Sequence, residues 1–149
     1  ESKMAKLKSL GADHAMTYMD NEFHKGVYGL YGKPGRRGFE GGVTMAVNFT
    51  GGDTWVPSLR SLKRGGRLLT CGATAGFDPK TDIRFIWTFE LKLLGSNSWE
   101  RDDLEQLMKY IRDGKMEPVI DKKLPLTETK EGIRLLEERE VFGKVVINP

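Results

Sequence analysis

The stretch Gly65-Gly66-Arg67-Leu68-Leu69-Thr70-Cys71-Gly72-Ala73-Thr74-Ala75-Gly76 decides the fold. A glycine pair after a basic helix end marks a helix stop. Arg67 to Cys71 then reads as a short buried strand, and Gly72 to Gly76 as a turn with almost no side chain. A bare turn at the carboxyl end of a parallel strand lets a flat ligand approach the backbone closely. Open α/β sheets bind their ligands at that edge. Taken alone, the stretch suits a plain strand exit equally well, so the flanking sequence has to decide.

Upstream, Val43 to Phe49 is a nearly continuous apolar strand with Thr50-Gly51-Gly52-Asp53 as its exit. A helix over Trp55–Lys63 follows, with Asp53 or Thr54 as its cap and Pro57 in its first turn. Downstream, Thr81 to Phe89 reads as short helical turns. Glu90 to Gly95 is a third strand, closing on Gly95-Ser96-Asn97. Three strands thus alternate with helices, and each ends in a turn of small residues. Such alternation argues a parallel sheet. Right-handed crossovers then bring the three turns to one edge, a composite site rather than a single motif.

Further out, Lys3–Leu10 has Met4, Leu7 and Leu10 at helical spacing and ends at Gly11. Ala12 to Tyr18 reads as a strand whose His14 is structural. Asp20–Tyr31 is a weak helix interrupted by glycine. Glycines at 26, 29, 32, 35, 38 and 41 lead through a flexible basic loop, Lys33-Pro34-Gly35-Arg36-Arg37-Gly38. That composition also suits RNA contact, but a solvated surface loop is the expectation. After a helix over Arg101–Arg112, a tail with its own rhythm follows: strand Pro118–Leu124, helix Thr127–Glu138 capped by Thr127, and strand Gly143–Ile147.

Hydrophobic residues at 38% and charged residues at 30% place the 149-residue chain among soluble globular domains. The net charge of +3 does not demand nucleic acid. The single cysteine, Cys71, excludes a disulfide framework and reads as a small buried core residue. No apolar run is long enough to span a membrane, and no signal peptide is visible. The expectations are a cytoplasmic location, a small-molecule substrate, and neither nucleic acid nor membrane as partner.

The chain resembles the C-terminal part of a medium-chain dehydrogenase/reductase, the superfamily of zinc-type alcohol dehydrogenases and quinone oxidoreductases. The resemblance rests on Lys8-Ser9-Leu10-Gly11-Ala12-Asp13-His14, Gly65 to Gly72, Leu94-Gly95-Ser96, and Glu140-Val141-Phe142-Gly143-Lys144-Val145-Val146. Residues 83–99 are similar to the zinc-independent branch holding acrylyl-CoA and crotonyl-CoA reductases. The fold this implies is α/β. Residues 1–115 would belong to a partial Rossmann domain, a doubly wound parallel sheet. Residues 116–149 would be the return segment of a GroES-like catalytic domain.

The resemblance implies NADPH as cofactor, with NAD as the alternative. Ser2 and Lys3 would hold the 2′-phosphate. Phe49, Thr50 and Gly51 would lie beneath the nicotinamide ribose, Gly72, Ala73 and Thr74 at the carboxamide, and Gly95, Ser96 and Asn97 at the third cofactor turn. Lys144 would reach the cofactor phosphates or the substrate. Trp87 and Phe85 are offered as substrate-entrance or core residues. No catalytic acid or base is assigned, and no metal site falls within this chain.

The implied reaction is reduction of an activated carbon–carbon double bond, in an enoyl thioester or a quinone. A zinc-dependent alcohol dehydrogenase and a non-catalytic nucleotide-binding module are the rivals. The dinucleotide loop and two Rossmann strands would precede Glu1. In the sheet order 3-2-1-4-5-6 the strand at 14–18 then has no neighbour within the chain. The expectation is a disordered first part of about 40 residues, a rearranged edge, or a homo-oligomer that covers the strand.

Overall fold

The computed structural model describes residues 2–149, with only the backbone described for Ser2. The chain divides into two compact units, Glu1–Ser98 and Trp99–Pro149.

The first unit runs α1 (Ser2–Ser9), α2 (Phe23–Tyr31), β1 (Val43–Asn48), a 3-10 turn (Gly52–Thr54), α3 (Trp55–Ser61), β2 (Leu62–Thr70), α4 (Ile83–Thr88) and β3 (Lys92–Gly95). The strands form a parallel sheet in the order β1-β2-β3. Ala46, Leu68 and Leu93 stand side by side, as do Asn48, Thr70 and Gly95. The three carboxyl ends are therefore level. Leu59, Leu62, Leu68, Phe89 and Leu91 form the buried core, with Trp55, Phe85 and Ile86 against it. Leu62 and Leu68 are completely buried, each worth about 1.5–3 kcal/mol. On the opposite sheet face Met45, Val47 and Leu94 are exposed.

Three local expectations are corrected. Residues 12–18 form no strand, because a strand needs a hydrogen-bonded neighbour and the sheet offers none there. Strand β2 begins at Leu62, not after the glycine pair. Ser61 ends α3, and Leu62 turns extended opposite Val43 to reach the core. The glycine pair then forms a bulge, in which Gly65 takes φ +73° and donates to the Phe89 carbonyl (2.8 Å). Finally, Cys71 is exposed. Pairing stops at Thr70, so the thiol lies beyond the strand and outside the core.

The second unit contains α5 (Arg101–Arg112), β4 (Ile120–Pro125), a 3-10 turn (Leu126–Glu128), α6 (Thr129–Glu137) and β5 (Lys144–Asn148). A capping box starts α5: Glu100 caps it, and its backbone N–H donates to Asp103 (3.0 Å). Strands β4 and β5 pair in parallel. Helix α6 lies close upon them, since a Cβ on Gly132 would stand 3.2 Å from Ile147 and 3.3 Å from Val145. The turn at 126–128 delays α6 beyond the expected Thr127 cap.

Candidate functional site

The site is built from the carboxyl end of β1. Asn48, 5% exposed, closes that strand. Its Nδ2 donates to Thr54 Oγ1 (3.0 Å) and Ser58 Oγ (2.8 Å). Its Oδ1 accepts from the backbone N–H groups of Thr50 (3.0 Å) and Gly51 (2.8 Å). Both donors and both lone pairs of one amide are thus engaged, and the first turn is pinned to α3. Thr54 occupies the cap position of α3 without capping it. Its hydroxyl donates to the Gly51 carbonyl (2.7 Å) instead. Sequence reading gave Asn48 no role. The available signal was an amide ending an apolar strand, where Asn is normally depleted but favours a local turn.

The first turn is joined to the second. The Ala75 N–H donates to the Thr50 carbonyl (2.7 Å), and the Gly52 N–H to the Gly76 carbonyl (2.8 Å). Gly51 has φ +68°, and a Cβ there would strike the Gly76 carbonyl. A Cβ on Gly72 would stand 3.1 Å from the Phe49 carbonyl. The bareness of both turns is therefore a packing requirement. The third turn is tied on more lightly. Ser96 N–H donates to the Thr70 carbonyl (2.9 Å), while Gly95, Ser96 and Asn97 are exposed and open space surrounds Gly95.

Two cavities flank the first turn. Phe49, Thr50, Met16 and Tyr18 line one of about 360 Å³. Gly51, Gly72, Ala73, Trp55 and Phe77 line the other, of about 340 Å³. Phe85 and Trp87 line neither. Phe85 stacks on Phe89 at 4.6 Å beside the core, and Trp87 is exposed.

The structure thus brings Phe49, Thr50, Gly51, Gly72, Ala73 and Thr74 together on two fused turns, with Gly95, Ser96 and Asn97 alongside. Lys3 stands exposed in the first turn of α1, and the Ser2 side chain lies outside the described residues. Lys144 opens β5 in the second unit. Among the described residues no three His, Cys, Asp or Glu side chains converge to hold a metal ion. Among the described residues no helix is long and apolar enough to cross a membrane. The edge offers backbone groups, hydroxyls and one amide, which suits it to seat and orient a flat ligand.

The model of the family described as "Zinc-binding dehydrogenase" matches residues 10–147. An acryloyl-coenzyme A reductase of Sulfurisphaera tokodaii is 31% identical over 113 residues, covering 73% of this chain and 33% of that protein. A crotonyl-CoA reductase of Streptomyces collinus is 27% identical over 103 residues, 69% of this chain and 23% of that one. Among solved structures, an NAD-dependent alcohol dehydrogenase superposes with a TM-score of 0.83 at 32% identity, over 99% of this chain and 41% of its own. The 2-octenoyl-CoA carboxylase reductase CinF, in complex with NADP and 2-octenoyl-CoA, gives 0.67 at 25% identity, over 72% of this chain and 24% of its own. The chain spans about a third of the length of the acryloyl-CoA reductase it matches. A level parallel edge of bare turns and a family match across nearly the whole sequence agree: this chain belongs to the zinc-binding dehydrogenase family of the medium-chain dehydrogenase/reductase superfamily.

Proposed function

We propose that this chain supplies the nicotinamide-facing sheet edge of an NADPH-dependent reductase acting on an activated carbon–carbon double bond, in an enoyl thioester or a quinone. The observation that carries the reading is the fused pair of turns, Phe49–Gly51 and Gly72–Thr74, whose glycines let the two turns pack directly on each other at the carboxyl end of the sheet. When bound, the cofactor supplies the hydride, and the protein supplies orientation and electrostatics. The chain's own part is positional. Asn48 fixes the first turn, Thr50 and Gly52 fix the second against it, and Ser96 sets the third level with both. Ser2 and Lys3 are proposed to take the 2′-phosphate, and Lys144 to meet the phosphates or the substrate. Residues 1–115 are proposed as cofactor domain and 116–149 as the return to the catalytic domain. The similarity to acryloyl- and crotonyl-CoA reductases supports the enoyl thioester. The exposed Cys71 thiol suits a reducing, cytoplasmic compartment. The exposed Met45, Val47 and Leu94 of the sheet support a homo-oligomer.

The test follows NADPH and NADH consumption by the full-length protein with acryloyl-CoA, crotonyl-CoA, a quinone and an aldehyde. The expected result is double-bond reduction with NADPH preferred, and loss of that preference in Lys3→Glu. An unchanged preference removes Lys3 from the cofactor site. The alcohol dehydrogenase likeness favours a second reading, which predicts NAD-linked alcohol oxidation instead.

A further inference from the structure

The amino-terminal end of the sheet carries a second built feature. The loop from Gly32 to Gly42 closes on itself, the Gly42 N–H donating to the Gly32 carbonyl at 2.9 Å. Such a short-necked loop is an Ω-loop. Two glycines of positive φ lock its neck. A Cβ on Gly41 would stand 2.6 Å from the Lys33 carbonyl oxygen, and one on Gly42 2.5 Å from that of Ser61. Pro34 is buried under it. Phe39 lies beneath the Arg64 guanidinium, 5.0 Å from ring centre to carbon. The basic segment is therefore a shaped ring rather than a floppy tether.

The charges around the ring are unevenly compensated. Arg64 pairs with Glu90, and Arg84 forms a bidentate pair with Asp82 (2.9 and 2.8 Å). Lys33, Arg36 and Arg37 have no ion pair or hydrogen bond of their side chains among the described residues, and Glu40 is the only carboxylate of the ring. These cations line an open hollow of about 610 Å³. Arg36 also stands in the wall of an adjoining hollow of about 340 Å³, lined besides by the exposed indole of Trp87, by Phe85 and Phe89, and by the Asp82–Arg84 pair. A basic hollow, with Glu40 in its wall, thus runs into a mixed aromatic and polar one through a shared guanidinium.

We propose that this ring and the α4 surface beside it bind a nucleoside polyphosphate, its phosphates on Lys33, Arg36 and Arg37 and its base on Trp87. Guanidinium forks match phosphate oxygens, and an exposed indole face takes any base by stacking. The hollows have the volume of small-ligand sites. The net charge of +3 does not demand nucleic acid. The site lies at the opposite end of the strands from the three turns and is independent of the cofactor reading.

Calorimetric titration of the full chain with ATP and with inorganic tripolyphosphate tests it. The double variant Arg36→Ala, Arg37→Ala is expected to weaken both ligands at least about tenfold. Trp87→Ala is expected to weaken ATP about five-fold or more and to leave tripolyphosphate unchanged. Arg36→Lys, Arg37→Lys is expected to keep tripolyphosphate binding. All these positions are exposed, and circular dichroism checks that the variants fold. Absence of saturable ATP binding, or equal ATP binding by wild type and the alanine pair, overturns the proposal. Tighter binding of a single-stranded oligonucleotide than of ATP, with a steep salt slope, also overturns it in favour of a nucleic-acid surface.

Discussion

At the residue scale, Asn48 holds the site together. Replacing it by Ala strands the Thr50 and Gly51 N–H groups, while the Ser58 hydroxyl keeps its bond to the Thr54 carbonyl. The expected loss is about 2–3 kcal/mol in urea denaturation, with weaker NADPH binding by the full-length protein. Gly72→Val drives a branched side chain toward the Phe49 carbonyl and parts the two turns. It is expected to cost about 1–3 kcal/mol and to weaken NADPH binding. His24 predicts a pH dependence. It is 6% exposed, its Nδ1 has no hydrogen-bond partner among the described residues, and Tyr28 meets it edge-on. Burial, then Arg60, holds its pKa below the usual 6.5, with Lys25 acting the same way and Glu22 and Asp20 opposing. The unfolded chain therefore takes up a proton that the folded one refuses. Stability is flat above about pH 6.5, falls as pH drops through that value, and levels once the folded His24 protonates. Urea midpoints between about pH 7 and pH 5 check this, and His24→Gln is expected to flatten the slope. The Gly and Thr turn residues were legible in the sequence, because small residues after an apolar run mean a strand exit. Asn48 was not, because its role depends on Thr54 and Ser58 arriving from the next helix. Cys71 was misplaced because composition locates a strand but not the residue at which its partner ends.

At the element scale, local pattern and tertiary demand agree in most places. β1, α5 and the parallel strand–helix–strand of the second unit lie close to where periodicity puts them. Departures occur where a neighbour decides. Residues 12–18 have a strand's composition without a partner strand, so Met16 and Tyr18 line a cavity instead. The start of β2 moves back to Leu62 because that side chain is needed in the core. Leu68→Ala tests that core. It is expected to cost about 2–5 kcal/mol in urea denaturation, more than the same change at Leu93, which is 39% exposed.

At the scale of the whole molecule, the sheet of the first unit leaves Met45, Val47 and Leu94 exposed, while parallel sheets are ordinarily buried on both faces. Concentration-dependent self-association in sedimentation velocity is expected from the exposed Met45, Val47 and Leu94. Met45→Lys with Val47→Lys is expected to reduce it. The chain holds no Gly-x-Gly-x-x-Gly loop to seat a pyrophosphate. Alone it should therefore bind NADPH weakly, and submicromolar affinity in a fluorescence titration would refute that. The closed basic ring has one more consequence, for proteolysis. Lys33, Arg36 and Arg37 offer the residues trypsin cuts after, yet Pro34 blocks the first bond and the locked neck keeps the others from the extended shape a protease needs. Limited trypsin digestion is expected to cut at exposed positions such as Lys115 before it cuts the ring. Gly41→Val, by forcing the neck open, is expected to turn Arg36 and Arg37 into the earliest cleavage points of the chain.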